Sequence, residues 1–268
     1  MKKWFALIAC MVFVLSLLTV SAFAGKTVKL KFGHVAPPFH GQSKGIDAFA
    51  AYVKDKTNGA IDIKTFPFGQ LGSETSMAEQ VQSGTLDIAS ITTAVLQNYV
   101  PQVAVMDLPF VFPDRKTAYA VIDDPAWQEK IFSYLPAKGF IGIGWTENEF
   151  RDITNSKRDI RTPADLKGLK IRVMKSPVYL DTFKALGASP IDLPFPQIYN
   201  ALQNGTIDAQ ENPLLTSILI KATEITKHVT NTDHILKAMT KVWEKYKKQV
   251  GPDLFEFFMA KIKAKSKQ

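Results

Sequence analysis

The heptapeptide Val81-Gln82-Ser83-Gly84-Thr85-Leu86-Asp87 returns later in the chain as Leu202-Gln203-Asn204-Gly205-Thr206-Ile207-Asp208. Each copy reads as a helix end, a glycine cap and the start of a strand that carries an aspartate. Helix–glycine–strand joins are common in α/β chains, so the echo alone leaves coincidence open. The strand–helix–strand units that precede the two copies nevertheless run in the same order, the later one shorter. Two similar lobes facing each other form a cleft, and open α/β sheets bind ligands outside the carboxyl ends of their strands. The expected fold is therefore α/β, two-lobed, with a central interlobe cleft.

Apolar periodicity supplies the elements around the echo. Val28, Leu30 and Phe32 alternate with Lys29 and Lys31, the period of a half-buried strand. After Pro37-Pro38, the residues Ile46, Phe49, Ala50 and Val53 recur at helical spacing until Asn58-Gly59, and Ile61 to Phe66 reads as a second strand. Strand, helix, strand predicts a parallel pairing. Ser73 is the expected cap of a helix closing at Gly84, with a short strand from Leu86 to Ile91. Leu108 to Pro113 is too apolar for an exposed loop and should pack under the sheet, and Phe140 to Trp145 reads as a glycine-rich strand. In the second half Thr162-Pro163 opens a turn, Leu169 to Met174 forms a strand, and Ser176-Pro177 opens a helix that ends at Gly187. Ile191 to Leu193 is the next strand, Pro196 to Asn204 a helix, Ile207 to Ala209 a strand and Leu214 to Ala222 a helix.

The N-terminus adds a compartment. Lys2 and Lys3, the apolar run Trp4 to Val20 and Ala22-Phe23-Ala24 form a cleavable export signal over residues 1–24, the alternative being a short membrane anchor. Cys10 leaves with that signal, so the mature chain holds no cysteine and relies on apolar burial for stability. Removing Lys2 and Lys3 lowers the formal charge from +8 to about +6, with much of the excess in the last thirty residues. An exported chain without interleaved aromatic and basic residues points to a solvated lysine face, not to nucleic acid.

Catalysis finds little support. The four histidines lie far apart, no GxSxG elbow occurs, and Gly139 to Gly144 opens no helix that could cradle a phosphate. No metal, cofactor or enzymatic activity is expected. Arg172 stands out instead, a charge at the end of an apolar strand. It can clamp a carboxylate with two parallel hydrogen bonds, or face outward on a sheet edge. Gln210-Glu211-Asn212-Pro213 follows a strand, where Asn212 can present its amide to a ligand or cap the next helix. Phe195, between two prolines, fits a core or a cleft wall.

Read together, Phe66 to Gly72, the Gly84 join, Leu108-Pro109-Phe110, Arg151 with Thr154 to Arg158, Ala164 to Val173, Gly187 to Pro190 and Gln210 to Pro213 resemble the DctP-type solute-binding subunit of TRAP transporters. The resemblance implies a type II-like periplasmic binding protein that closes over its ligand and docks on the membrane subunits. It implies that Arg172 pairs with a substrate carboxylate, that Arg151 is a second cleft arginine, that Asn212 orients the carboxylate and that Phe195 is an aromatic wall. The expected organisation is a signal peptide at 1–24, lobe I at 25–146, lobe II at 147–232 and C-terminal helices at 233–268. After His234 the chain departs from the family pattern: Ile235 runs directly into a segment like the family's last helices, as if the strand and long helix before them were missing. The expected function is periplasmic capture of a small organic-acid anion for a TRAP transporter, with no nucleic-acid partner and no membrane span after cleavage. Two alternatives stand beside it, an ABC-type receptor with the same lobes and a repurposed scaffold or sensory protein that binds no solute.

Overall fold

The computed structural model describes residues 27–230, 232 and 240–266. The export signal with Cys10 and the junction from His234 to Lys237 lie outside the described residues. Two sheets carry the fold. The first is parallel, in the order β2-β1-β3, with β1 at Val28–Gly33, β2 at Ile61–Phe66 and β3 at Ile88–Ala89. Helix α1, Gly41–Lys56, crosses between β1 and β2 and lays Ile46 and Ala50 on Phe32 and Ile63. It begins five residues before the apolar period because His40 caps it, Nδ1 accepting from the Gln42 N–H at 3.2 Å. It ends where Asn58 and Gly59 both turn left-handed. Helix α2, Glu74–Gln82, starts at Ser73, whose hydroxyl accepts from the Ser76 N–H.

After α2 come α3 at Thr93–Leu96, a 3₁₀ segment at Pro101–Asp107, α4 at Arg115–Ile122 and α5 at Pro125–Phe132. The second sheet runs β6-β5-β7-β4-β8. Its strands are β4 at Asp152–Asn155, β5 at Lys170–Val173, β6 at Ser189–Asp192, β7 at Ala209–Asn212 and β8 at His228–Thr230. β5 pairs in parallel with β6 and β7, while β4 is antiparallel to both β7 and β8. Helices α6 (Pro177–Ala185), α7 (Ile198–Gln203), α8 (Leu214–Leu219) and α9 (Ala222–Ile225) connect them. The expected helix from Leu214 to Ala222 is broken, because Lys221 turns left-handed between α8 and α9.

The sequence echo is a structural repeat. Gly84 and Gly205 adopt the same left-handed conformation, φ 73° and 72°. Asp87 accepts the Lys31 N–H at 2.8 Å, and Asp208 accepts the Lys170 N–H at 3.1 Å. In both lobes the same lysine returns its ammonium to the turn, Lys31 to the Thr85 carbonyl and Lys170 to that of Gly205. Each aspartate thus supplies an acceptor to a backbone N–H of a neighbouring strand, that of the fourth residue of β1 and of the first residue of β5.

Two further expectations are corrected. Phe140 to Trp145 pairs with no strand among the described residues, and Ile141 and Ile143 are 83% and 63% exposed. Its anchor is aromatic: Trp145 stacks on Phe132 at 5.1 Å, and Gly142 lies so close to that ring that a Cβ would stand 2.5 Å from it. The strand expected at Ile207 to Ala209 instead runs from Ala209 to Asn212. β7 lies between β5 and β4, so the ladder on both sides draws Gln210, Glu211 and Asn212 into the strand.

The largest core is shared by both lobes and roofed by α10 (Thr240–Val250) and α11 (Pro252–Lys265). Val242, Tyr246, Val250, Leu254, Phe258 and Ile262, four residues apart, are all buried. Phe258 packs on Trp127 at 4.5 Å and on Phe112 at 5.5 Å. The Leu108 to Pro113 stretch therefore sits under these helices, and Trp243 donates to the Pro109 carbonyl at 2.9 Å. Lysines on the outer side meet acids, Lys261 reaching Asp124 at 2.8 Å.

Candidate functional site

Arg172 is the third residue of β5, aligned with Ile191 of β6 and Gln210 of β7. A strand flanked on both sides keeps it off the sheet edge, and the residue is 2% exposed. Nε donates to the Leu193 carbonyl at 2.9 Å, while Nη1 is buried with no partner. The side chain lines a crevice between the lobes, together with Met174, Phe195, Asn212 and Thr216 from the second lobe. His40, Gln42, Glu74, Ser90 and Thr92 close it from the first. Burial pushes the Arg172 pKa down to about 10; Glu211 raises it and Arg151 lowers it further. The group remains cationic at neutral pH, a buried charge with an unused donor.

Asn212 is held from behind. Its Oδ1 accepts from Arg151 Nη2 at 2.9 Å, and its Nδ2 donates to Gln210 Oε1. Gln210, fully buried, passes the chain on to Thr154 Oγ1 at 2.8 Å and Ser217 Oγ at 2.9 Å. A guanidinium offers only donors, so the Asn212 oxygen must face Arg151. An amide nitrogen carries two hydrogens, and Gln210 takes one, which leaves one N–H for the crevice.

Arg151 does not line the crevice. Its Nε pairs with Glu211, Nη2 donates to the Glu211 carbonyl at 2.7 Å, and the guanidinium lies 5.9 Å from the Tyr179 ring centre. Glu211, together with the Tyr179 and Asp107 groups, holds its pKa above the ordinary arginine value against the opposing effect of burial. Of the four residues singled out in the sequence, the structure thus brings Arg172, Asn212 and Phe195 together at the crevice and sets Arg151 one layer back.

The lobes touch across the opening. Phe195 meets Phe68 edge to face at 6.3 Å. His40 Nδ1 is already an acceptor, so its proton is on Nε2 and points to Thr216 Oγ1 at 3.3 Å. Near the crossover between lobes, Gln97 donates to Ser176 and Asn98 to the Lys175 carbonyl, both at 2.8 Å.

Two carboxyls near the site are perturbed. Burial raises Glu74 above the usual range, opposed by hydrogen bonds from Thr92 and the charges of Arg172 and Arg151. Burial raises Asp107 to about 7, the Thr93 hydroxyl and Arg151 opposing and Glu211 adding to the rise. Sequence reasoning placed neither. The segments Gly33 to Gln42 and Thr92 to Tyr99 supply His40, Gln42 and Thr92 to the crevice. Glu74 follows the Ser73 cap, which reads as helix punctuation and gives no sign that the residue lines the crevice.

The family model for DctP, bacterial extracellular solute-binding protein, family 7, matches residues 32–247. The chain is 40% identical to a solute-binding protein of Verminephrobacter eiseniae over 72% of this chain and 58% of that one, so it spans under two thirds of that curated relative's length. A TRAP periplasmic solute-binding protein from Polaromonas sp. JS666, bound to D-erythronate, superposes with a TM-score of 0.74 at 34% identity, covering 89% of this chain and 78% of the other. One from Sulfurospirillum deleyianum, with bound succinate, gives 0.73 at 30% identity, covering 90% and 79%. With its two lobes, its interlobe crevice and a family match over most of its length, the chain belongs to the bacterial extracellular solute-binding proteins of family 7, the DctP family.

Proposed function

We propose that this chain captures a small organic-acid anion in the periplasm and delivers it, chemically unchanged, to the membrane subunits of a TRAP transporter. In this reading residues 1–24 are removed on export, residues 25–146 and 147–232 are the two lobes, and the ligand sits between them. Among the described residues no helix is long and apolar enough to cross a membrane.

The observation that carries the proposal is the Arg172 guanidinium, buried at the crevice with Nη1 unpartnered. An unsatisfied buried charge costs stability and is retained where a counter-charge arrives from outside. A carboxylate fits that need: it accepts from Nη1 and from the remaining Asn212 N–H, while Phe195 covers the carbon skeleton. Arg151 acts indirectly, fixing the Asn212 amide while Glu211 neutralises its own charge. The ligands of the two solved relatives, D-erythronate and succinate, are both carboxylates.

The test is a calorimetric and thermal-shift panel of monocarboxylates, dicarboxylates and sugar acids on protein lacking residues 1–24. Binding of at least one acid is expected. Arg172→Lys should weaken it by about tenfold to a hundredfold, since a point charge replaces a planar fork and each charge-assisted hydrogen bond contributes about 1.5–3 kcal/mol. Wild-type affinity in that variant, or no ligand in the panel, sinks the proposal.

A further inference from the structure

The wall supplied by the first lobe carries a carboxyl of its own. Glu74 is the first residue of α2, 8% exposed, and it lines the crevice that Arg172 lines from the other side. Thr92 donates to it twice, from its N–H to Oε1 at 2.7 Å and from its hydroxyl to Oε2 at 3.3 Å. A carboxyl group offers about four lone-pair positions, so half its accepting capacity is unused. Among the described residues no lysine, arginine or histidine forms an ion pair with Glu74. The crevice also carries the neutral polar groups Gln42, Ser90, Thr92 and Asn148, while the charges of Arg172 and Arg151 act on Glu74 from the second lobe without an ion-pair contact. Gln42 is itself held by Ser90 at 3.2 Å and Thr146 at 2.7 Å.

The crevice is therefore polarised, with one unpaired cation on the second lobe and one unpaired carboxyl on the first. We infer that Glu74 reads hydroxyl groups on the ligand, so that the crevice takes a hydroxylated monocarboxylate and rejects a dicarboxylate. The inference rests on the reading of Arg172 as a carboxylate site and adds what the far end must be. A second carboxylate would add a negative charge beside Glu74 while the first carboxylate takes up Arg172, the cation whose charge otherwise acts on Glu74, whereas a hydroxyl donates to the open lone pairs and accepts from the neighbouring amides and hydroxyls. An ammonium needs several acceptors at once, and only Glu74 offers unused charge, so the mixed donors and acceptors around it suit hydroxyls better.

The test uses acids matched in chain length on protein lacking residues 1–24. Gluconate, adipate, hexanoate and 6-aminohexanoate form the six-carbon set, and erythronate, succinate, butyrate and 4-aminobutyrate the four-carbon set, all titrated calorimetrically at neutral pH. In the wild type the hydroxy acid of the better-binding set should exceed its dicarboxylate by about a hundredfold or more, roughly two charge-assisted hydrogen bonds. Glu74→Gln keeps the size of the side chain and an oxygen for the Thr92 N–H. It should lower hydroxy-acid affinity by about tenfold and raise dicarboxylate affinity, closing the gap to within about tenfold. The wild-type ratio stands even if the variant folds poorly. A dicarboxylate or amino acid that binds wild type as tightly as the hydroxy acid overturns the role of Glu74 while leaving Arg172 as a carboxylate site. So does a ratio unchanged in folded Glu74→Gln. Absence of binding by every acid overturns both readings.

Discussion

Replacing Arg172 by methionine separates a ligand site from a structural charge. The arginine is 2% exposed, makes one hydrogen bond to the Leu193 carbonyl and leaves Nη1 buried and unpartnered. Losing the Leu193 bond should cost about 1–3 kcal/mol, and removing a buried unsatisfied cationic group should return a similar or larger amount. Glu211, the nearby acid, keeps Arg151 as its partner in the variant, and Glu74 keeps its two Thr92 hydrogen bonds while losing the favourable charge of Arg172. Methionine fills most of the volume. The ligand-free variant should therefore be as stable as the wild type or up to about 3 kcal/mol more stable, a rise of up to about 10 °C in Tm for a chain of this size. Ligand should no longer shift its melting temperature, although about 2.7 kcal/mol is expected in the wild type at a hundredfold over Kd. Differential scanning calorimetry with and without the best acid of the panel reads both effects. If the ligand-free variant loses more than about 3 kcal/mol, Arg172 is one half of a structural pair, and the account of a charge waiting for its partner is refuted.

Three further outcomes follow from the geometry. Phe258→Ala removes a fully buried ring from between Trp127 and Phe112 and should cost about 3–5 kcal/mol in urea unfolding; a loss under 1 kcal/mol would show that α11 is not part of the core. Gly205 is left-handed with open space where a Cβ would stand, so Gly205→Ala should cost about 1–2 kcal/mol from backbone strain alone, and a neutral variant would contradict the turn described here. Asp107, with a pKa raised to about 7 by burial, binds its proton more tightly folded than unfolded. Its stabilising contribution is complete below about pH 4 and is lost as pH rises towards 7, by up to about 4 kcal/mol at 1.36 kcal/mol per pH unit. Asp107→Asn should remove that decline, and urea midpoints that fall equally between pH 4 and 7 in both proteins would count against it.

Local signals in the sequence carried far. The caps at Ser73 and Ser176, the left-handed stops at Gly59, Gly84 and Gly205, and the two-residue period of β1 each concern residues within a turn or two of one another. Their physics needs no distant partner, and the elements stand where those signals put them. β4 and β8 left no such mark: they are four and three residues long, and pairing with β7 and with each other makes them strands. Phe140 to Trp145 failed in the opposite sense. It has a strand's pattern, but a strand is defined by its neighbour, and among the described residues it has none.

The site divides along the same line. That Arg172 ends an apolar strand was written in the chain, as was the asparagine before Pro213. Whether the guanidinium faces water or a crevice depended on β5 lying between β6 and β7, a fact about residues up to forty positions away. The pairing of Arg151 with Glu211 spans 60 residues, and Glu74 reaches the crevice only because the lobes face each other. The sequence by itself determined the alternation of helices and strands, their caps and the repeated glycine–aspartate join. The tertiary structure alone decided which charges are compensated and which wait at the crevice, because desolvation and charge pairing act through space, between side chains the sequence keeps apart.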